Sequence, residues 1–351
     1  MTGSGRAWVA DPGIAWRILL RATWPTPSEA PSAGSLARAQ DLLHAAQGWA
    51  RPEPVALGPA RTLQDALATA PGESLLLGLD TDAGTLVVSG HHRHLDGLGL
   101  LAVLAAVTGL EIASDARGIG ERPAAAGPLR GALARLGEAL LAPPARPDAR
   151  GGRPGDPGEA WAERTVLGTP RTRDLVAAVR GGPWAGRRTA VAVGVSRRAG
   201  VPAPGTLLAD HSALLRLRGV ERLDDAALTR ALREAAPEPS PDAGGGSRVA
   251  ALQRPLLRAL APRLGSTLLV SHLGVVAAPG LASLAFAPVT AGGSGLSLGA
   301  VTLHGTGTGT GTGSGTVLTL RGRAARWSDE ALERLLEGLT DQLTDQTTDP
   351  R

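Results

Sequence analysis

Residues 86–109 read LVVSGHHRHLDGLGLLAVLAAVTG, and this stretch decides the fold. A strand-like apolar run precedes three histidines and an aspartate, and a run of small and apolar residues from Gly97 to Gly109 predicts a helix after them. The polar residues between strand and helix fit three interpretations: a metal site, a catalytic base with its supporting residues, or a polar turn.

The metal interpretation has the weakest support in the residue pattern. His91, His92, His94 and Asp96 are four potential ligands within six positions. On a strand, however, His91 and His92 point to opposite faces. The stretch offers no helical i, i+4 pair of histidines, and the chain contains no cysteine. We therefore predict no metal here, and a polar turn whose histidines bond to nearby backbone stays open as an alternative.

Composition limits the possible classes of protein. The chain has 351 residues, 43% of them hydrophobic, which suffices for two lobes with their own cores. It has no apolar run of the roughly 18 residues that a membrane helix needs, and its first residues, MTGSGRAWVADPG, lack the apolar core of a secretory signal. A cytoplasmic protein without membrane contact is the expectation. A net charge of +4 with 2% aromatic residues argues against nucleic-acid binding.

Turn-rich segments and periodicity divide the chain. Residues 142–160 are dense in proline, glycine and charge, and we place a linker at 146–160, between an N-terminal lobe (1–145) and a C-terminal lobe (161–351). In the first lobe we predict strands at 14–22, 74–80 and 84–90, and a helix over 36–50 capped by Ser35.

The second lobe shows a mixture of helix and strand signals. Predicted strands lie at 188–196, 213–220, 266–274, 296–305 and 316–324. Predicted helices lie near 170–180 and begin at Asp224 or Asp225, at Ser247 and at Ser328. The repeat GTGTGTGTGSG, residues 305–315, has no side chains that fill a core, and we interpret it as a flexible hairpin loop.

Three stretches of the sequence resemble a known family. HHRHLDG matches the motif HHxxxDG at His91, His92, Asp96 and Gly97, placed between a strand and a helix. PGTLLADHSALLRLR in the second half and VSHLGVV, with His272 where asparagine is common, are similar to later strands of the same family. The chain thus resembles the chloramphenicol acetyltransferase-like superfamily, above all the condensation domains of nonribosomal peptide synthesis.

The resemblance implies an α/β fold of two lobes arranged as a V with a central tunnel. It implies that His92 is the general base, which takes a proton from the acceptor's amine or hydroxyl; a neutral imidazole suits that task near pH 7. It gives Asp96 a structural ion pair with an arginine, for which Arg17 and Arg21 are candidates. Gly97 leaves room for close backbone approach, and N–H groups near it are candidates to stabilise the oxyanion.

The remaining site residues have lesser expected roles. His91 shapes the loop, and His94 is either an extra polar group in the tunnel or a surface residue. Ser271 and His272 are candidates for the tunnel lining. A nucleophilic mechanism through Ser271 and His272 is disfavoured, because neighbouring strand residues face opposite ways.

The sequence also departs from the family pattern. Gly99 stands where the family often has serine, the DFGWG-like segment is not visible, and residues 290–301 stand in its place. These departures put the contact between the lobes and the shape of the tunnel in question.

The functional expectation is a stand-alone condensation-type acyltransferase that forms an amide or ester in specialised-metabolite biosynthesis. No cofactor is expected to bind tightly; the donor is a phosphopantetheine thioester, either on a carrier protein in trans or as a coenzyme A thioester, and the acceptor is a small molecule. The alternatives are a condensation fold repurposed for another reaction such as cyclisation, and a non-catalytic binding or scaffold subunit.

Overall fold

The computed structural model describes residues 15–123, 137–138, 140–141, 143–146, 148–238, 265–290, 295–304 and 314–348. These residues form a mixed α/β structure built on two sheets. The strands are β1 (Arg17–Thr23), β2 (Ala56–Leu57), β3 (Leu76–Asp80), β4 (Thr85–His91), β5 (Ala113–Ser114), β6 (Glu159–Leu167), β7 (Ala190–Ser196), β8 (Ser212–Arg218), β9 (Leu268–Ala277), β10 (Ser283–Ala287), β11 (Leu296–His304) and β12 (Gly315–Arg323). The helices are α1 (Ala33–Gln47), α2 (Ala60–Thr69), α3 (Gly97–Thr108), α4 (Thr172–Gly181), α5 (Asp225–Glu234) and α6 (Asp329–Thr348).

The first sheet carries the strand that leads into the histidine motif. Its order is β10-β1-β4-β3-β2, and β4 pairs antiparallel with both β1 and β3. The β3–β4 turn is held by Asp80, whose Oδ1 accepts hydrogen bonds from the backbone N–H groups of Asp82 and Ala83. The side chain of an aspartate that bonds its own following backbone is a common turn device, and it confirms the turn predicted between these strands.

The second sheet is built from the second half of the chain. Its order is β6-β12-β11-β9-β7-β8, with the short β5 also paired to β9. The central strand β9 runs parallel to both β7 and β11, whereas β12 is antiparallel to β11 and to β6. At the start of β9, Leu268 and Val270 are buried in the core, whereas Leu269 and Ser271 between and after them are partly exposed and line the cavity described below.

Strand β10 joins the two halves of the chain. Although it follows β9 in sequence, it pairs with β1 and forms the edge of the first sheet, with Phe286 opposite Leu20. On β11, a Cβ added at Gly299 would collide with the backbone oxygen of Phe286, so glycine allows the two strands to approach closely. The division into lobes at 1–145 and 161–351 stays a prediction. Strand β10, which belongs to the predicted second lobe by sequence, lies in the first sheet.

The helix termini follow the expected chemistry with one correction. The prediction that Ser35 caps the first helix is wrong: α1 begins at Ala33, and the side chain of Ser32 accepts a hydrogen bond from the backbone N–H of Ser35. Of the two residues predicted near the start of α5, Asp224 is the cap: its side chain accepts the N–H of Ala227. Ser328 precedes α6, and its Oγ accepts from the N–H of Ala331.

Helix α3 lies in the interior of the first half. Seven of its twelve residues are buried, whereas Ala106 on the remaining face is exposed; the buried ones are Leu98, Gly99, Leu100, Leu101, Val103, Leu104 and Val107. The predicted helix from Ser247 and most of the glycine–threonine repeat lie outside the described residues. Within the described part of the chain, no helix is long and apolar enough to cross a membrane.

Candidate functional site

A cavity of about 630 Å³ lies between the two sheets, next to the histidine motif. Its walls come from β1 and β10 of the first sheet, from β7, β8 and β9 of the second, and from the start of α3 and of α4. The motif loop connects β4 to α3 at this place, because β4 ends at His91 and α3 begins at Gly97. The motif therefore meets the second sheet across a space large enough for a substrate.

His92 faces this cavity and its ring is fixed by the backbone. Its Nδ1 lies 2.9 Å from the carbonyl oxygen of Leu95, and its own N–H donates to the carbonyl of Trp16 at 2.7 Å. Because a carbonyl oxygen only accepts, Nδ1 carries the proton, and Nε2 holds the lone pair of the neutral ring. The side chain of His92 is 22% exposed. This arrangement fixes one tautomer, as a general base requires.

Two further residues surround His92. Oδ1 of Asp210, from the loop before β8, lies 4.0 Å from Nδ1, and the Asp210 side chain is 3% exposed. Trp16 lines the same cavity and has a φ of 53°, a left-handed conformation that bulky residues rarely adopt. Backbone strain of this kind concentrates at functional sites. The sequence analysis identified neither residue, and no local pattern marks them.

The expected ion pair of Asp96 with Arg17 or Arg21 is wrong. Oδ1 of Asp96 accepts the N–H of Gly99 at 2.8 Å and so caps α3, while Oδ2 accepts the hydroxyl of Ser196 at 2.8 Å. The first N–H groups of a helix have no partner within the helix, and a short polar side chain just before the helix accepts a hydrogen bond from one of them. The carboxylate of Asp96 makes this local bond instead of pairing with an arginine on β1. The N–H of Gly99 is therefore used by Asp96 rather than by a substrate oxyanion.

Both candidate arginines bind other groups. Arg17 is fully buried and donates to a ring of acceptors: the backbone carbonyl oxygens of Ala70, Pro71, Gly72, Ser74 and Ser89 and the Ser89 hydroxyl. Burial lowers the pKa of Arg17 to about 10, so the side chain stays charged at neutral pH. Arg21 pairs with Glu163 and with the amide oxygen of Gln64. Arg17 therefore holds the loop that precedes β3 against β4.

His91 and His94 lie on the other side of the motif loop. They line a second cavity of about 270 Å³, which His44 and Glu73 also line. Nε2 of His94 lies 2.7 Å from Oε2 of Glu73, whose other oxygen pairs with Arg93. Burial lowers the pKa of His91 to about 4, and its Nδ1 accepts the N–H of Arg93. The motif thus points its successive histidines to opposite sides, and the main cavity receives His92 but not His91 or His94.

Gly97 lies where the motif loop meets the second half of the chain. A Cβ at this position would lie 2.5 Å from a methyl group of Leu273 and 3.2 Å from the ring of Phe286. Only glycine therefore lets the start of α3 pack against β9 and β10 without displacing these side chains.

Ser271 and His272 both line the main cavity, although they are neighbours on β9. Burial lowers the pKa of His272 to about 4, and the carboxylates of Asp115 and Asp174 oppose this shift. Nδ1 of His272 lies 3.5 Å from Oγ1 of Thr172. In the described residues, no group of three or more histidine, aspartate or glutamate side chains is arranged to hold a metal, and the predicted absence of a metal stays a prediction.

Comparison with known proteins gives structural neighbours only. No protein-family model and no curated protein matches the sequence. A mutant of the starter condensation domain of rhizomide synthetase RzmA in complex with C8-CoA is 13% identical, with a TM-score of 0.52 over 96% of this chain and 91% of that one. A second such structure, with C8-CoA and Leu-SNAC, is 13% identical, with a TM-score of 0.53 over 95% and 90%.

A condensation domain of another synthetase gives the same result. The first condensation domain of the calcium-dependent antibiotic synthetase, in complex with substrate analogue 2a, is 16% identical, with a TM-score of 0.50 over 97% of this chain and 93% of that one. The described residues form two sheets and no closed barrel. The chain therefore has the condensation-domain fold, which confirms the predicted fold class.

Proposed function

We propose that this protein is a condensation-type acyltransferase, which moves an acyl group from a thioester to an amine or hydroxyl acceptor and so forms an amide or ester. The observation that carries the proposal is the position of His92, whose ring lines the cavity between the sheets while Leu95 holds its Nδ1. The fold shared with condensation domains, one of which has been seen in complex with C8-CoA in two structures, supports a thioester donor.

The reaction begins with proton transfer to His92. The acceptor's N–H or O–H gives its proton to Nε2 as the nitrogen or oxygen attacks the thioester carbonyl carbon. A C–N or C–O bond forms, and the carbonyl oxygen of the tetrahedral intermediate carries the negative charge. When the intermediate collapses, the C–S bond breaks and the leaving thiolate takes the proton from Nε2. The neutral ring is thereby restored, and no oxidant or metal takes part.

The charged state of the ring between these steps needs stabilisation. Oδ1 of Asp210 lies 4.0 Å from Nδ1 of His92, and the side chain that carries it is almost completely buried. A buried carboxylate close to an imidazolium favours the charged ring by Coulomb attraction. Asp210 thus acts through His92, as a positioning and electrostatic residue.

The same fold supports a proposal for the donor and for the biological setting. We assign the donor to phosphopantetheine thioesters, presented by coenzyme A or by a carrier protein, and the reaction to nonribosomal peptide or related natural-product biosynthesis. The alternatives are a cyclisation in which the acyl chain supplies its own acceptor, and a non-catalytic subunit that binds substrates without converting them.

The test is single-turnover transfer with a panel of acyl-coenzyme A and acyl-carrier thioesters and small amines or alcohols, followed by mass spectrometry. His92→Ala should lower the transfer rate by about 10²–10⁴-fold, because general-base catalysis contributes on that scale. His94→Ala is the matched control, since this exposed histidine contacts the carboxylate of Glu73 and lies outside the main cavity. Donor binding, measured by calorimetry, should be unchanged in both variants.

Three outcomes separate the alternatives. Full activity in His92→Ala with loss only in His94→Ala would contradict the assigned base. Cyclisation would be indicated by a product that forms without added acceptor and whose mass equals that of the acyl thioester minus the mass of the released thiol. Thioester binding by wild-type protein without any turnover, across both donor types, would indicate a binding subunit.

A further inference from the structure

One wall of the main cavity contains an imidazole that acyl transfer does not require. His272 on β9 lines the cavity, and its Nε2 is buried without a hydrogen-bond partner among the described residues. Most buried polar groups in proteins have such a partner, because burial removes their hydrogen bonds to water and an unpaired group has no bond that offsets this loss. A buried ring nitrogen at the wall of a substrate-sized cavity is therefore expected to meet a polar group of the occupant.

A bulge in β9 directly follows His272. His272 pairs with Ala300 of β11 whereas Val275 pairs with Thr302, so β9 contains one residue more than its partner over this interval. Gly274, inside the bulge, has a φ of 80°. A bulge re-aims side chains along a strand, and here Ser271 and His272 both line the cavity, although neighbours on a regular strand would face opposite ways.

The protonation state of the ring defines the kind of partner. Burial lowers the pKa of His272 to about 4, so the ring is neutral at pH 7 and carries one proton. With the hydroxyl of Thr172, 3.5 Å from Nδ1, as the donor to that nitrogen, the ring proton lies on Nε2. The partner that Nε2 requires is then a hydrogen-bond acceptor.

We infer that Thr172, Ser271 and His272 form a subsite for an amide group of the bound substrate, whose carbonyl oxygen accepts a hydrogen bond from Nε2 of His272. The subsite rests on the proposed function, since it treats the cavity as the place where the thioester substrate binds. An amide fits both neighbouring groups, because the Ser271 hydroxyl can accept its N–H. A plain alkyl chain leaves Nε2 unpaired, and sites built for a hydrogen bond reject such analogues.

The amide can come from two parts of a thioester substrate. The pantetheine arm contains amides, and an aminoacyl or peptidyl group contains them as well. The test therefore uses two separate probes, D-pantetheine without an acyl group and N-acetyl-leucinamide without pantetheine. Each is titrated into the full chain carrying ¹⁵N-labelled histidine, and the ring nitrogens are followed by long-range ¹H–¹⁵N NMR.

We expect at least one probe to shift the Nε2 resonance of His272. A shift with D-pantetheine alone assigns the subsite to the thioester arm, and a shift with N-acetyl-leucinamide assigns it to the acyl group. His272→Phe should weaken binding of the active probe by about tenfold or more, since one buried hydrogen bond is lost. His272→Asn, whose amide N–H can also donate, should bind within about threefold of wild type.

His44 provides an internal control, because its Nε2 is also buried without a described partner but lines the second cavity. The inference is overturned if neither probe moves His272, if only His44 moves, or if His272→Phe binds as well as wild type. The measurement does not depend on turnover. Amide binding at His272 in a protein that transfers no acyl group would therefore overturn the proposed function and leave the subsite intact.

Discussion

Oδ1 of Asp210 lies 4.0 Å from Nδ1 of His92, so a carboxylate from the second half of the chain lies beside the imidazole of the first. The Asp210 side chain is 3% exposed, and its Oδ1 also accepts the N–H of Ser212, which keeps it in place at the start of β8. His92 and Asp210 therefore come together only when both halves of the chain are folded.

Asp210→Asn should slow single-turnover transfer by about 10- to 100-fold, because the imidazolium loses a nearby negative charge in a site of low dielectric constant. The melting temperature should change little, since asparagine keeps the shape and one oxygen acceptor. Asp82→Asn, at the exposed β3–β4 turn, is the matched control. Equal rates in Asp210→Asn and wild type would remove Asp210 from the mechanism.

Asp96→Ala should lower the free energy of unfolding by about 1–3 kcal/mol, because the cap of α3 and the bond to Ser196 are both lost. Ser196→Ala keeps the cap; it removes the bond to Asp96 and the exposed bond that the Ser196 hydroxyl accepts from the N–H of Arg198, and should cost about 1 kcal/mol. Urea unfolding of the two variants measures the difference. If both variants lost the same stability, the capping bond to Gly99 would contribute nothing.

Stability should fall as the pH decreases from about 6.5 to 4. Burial holds the pKa values of His91 and His272 at about 4 in the folded chain, whereas an unfolded histidine titrates near 6.5. Between these values the unfolded state binds more protons, so folding is favoured above the unfolded pKa and disfavoured as the pH falls. For His272 the slope reaches about 1.4 kcal/mol per pH unit; His91 contributes less, because solvent screens it.

Urea unfolding at pH 7, 6 and 5 measures this slope, and His272→Asn should flatten it. Carboxylates with lowered pKa values, such as those of Glu73 and Asp80, lose their contribution mainly below the unfolded values of 4.5 and 3.8, which lie below the measured range of pH 5–7. An identical slope in wild type and His272→Asn would show that His272 protonates equally well when folded.

Arg321 on β12 should be among the most costly residues to remove. It donates to the carbonyls of Arg17 and Pro288, pairs with Glu159 at 3.3 Å, and lies over the ring of Trp161. Arg321→Ala leaves a buried carboxylate unpaired, and we expect a loss of about 3–5 kcal/mol in the free energy of unfolding.

The exposed pair of Arg164 and Glu337 is the matched control for Arg321. Arg164→Ala should cost about 1 kcal/mol or less, because solvent screens exposed ion pairs. Similar unfolding midpoints for the two arginine variants would mean that Arg321 does not connect the sheets as its contacts indicate.

The motif region could be predicted because its signals are local. The apolar strand, the polar loop and the small-residue helix follow one another within residues 86–109, and Gly109 ends α3 in the left-handed conformation. Local hydrogen bonds explain the one error, since the side chain of Asp96 caps the helix it precedes instead of pairing with an arginine.

The other parts of the site depend on long-range pairing. Strand β10, SLAFA, is short, and its partner β1 lies far away in sequence. Strand β6, EAWAERTVL, begins within the predicted linker and mixes charged with apolar residues, so no periodic signal marks it. Asp210 lies in a segment that the sequence analysis quoted, but only the folding of β8 against β7 brings it to His92.

The placement of β10 determines when the protein can fold during synthesis. The ribosome releases the chain from its N-terminus, so β1, β4 and α3 emerge well before residues 283–287. Until then the hydrogen-bonding edge of β1 is open, and an open edge is a place where another strand can bind. In a nascent chain the edge of β1 is therefore covered only after most of the sequence has left the ribosome.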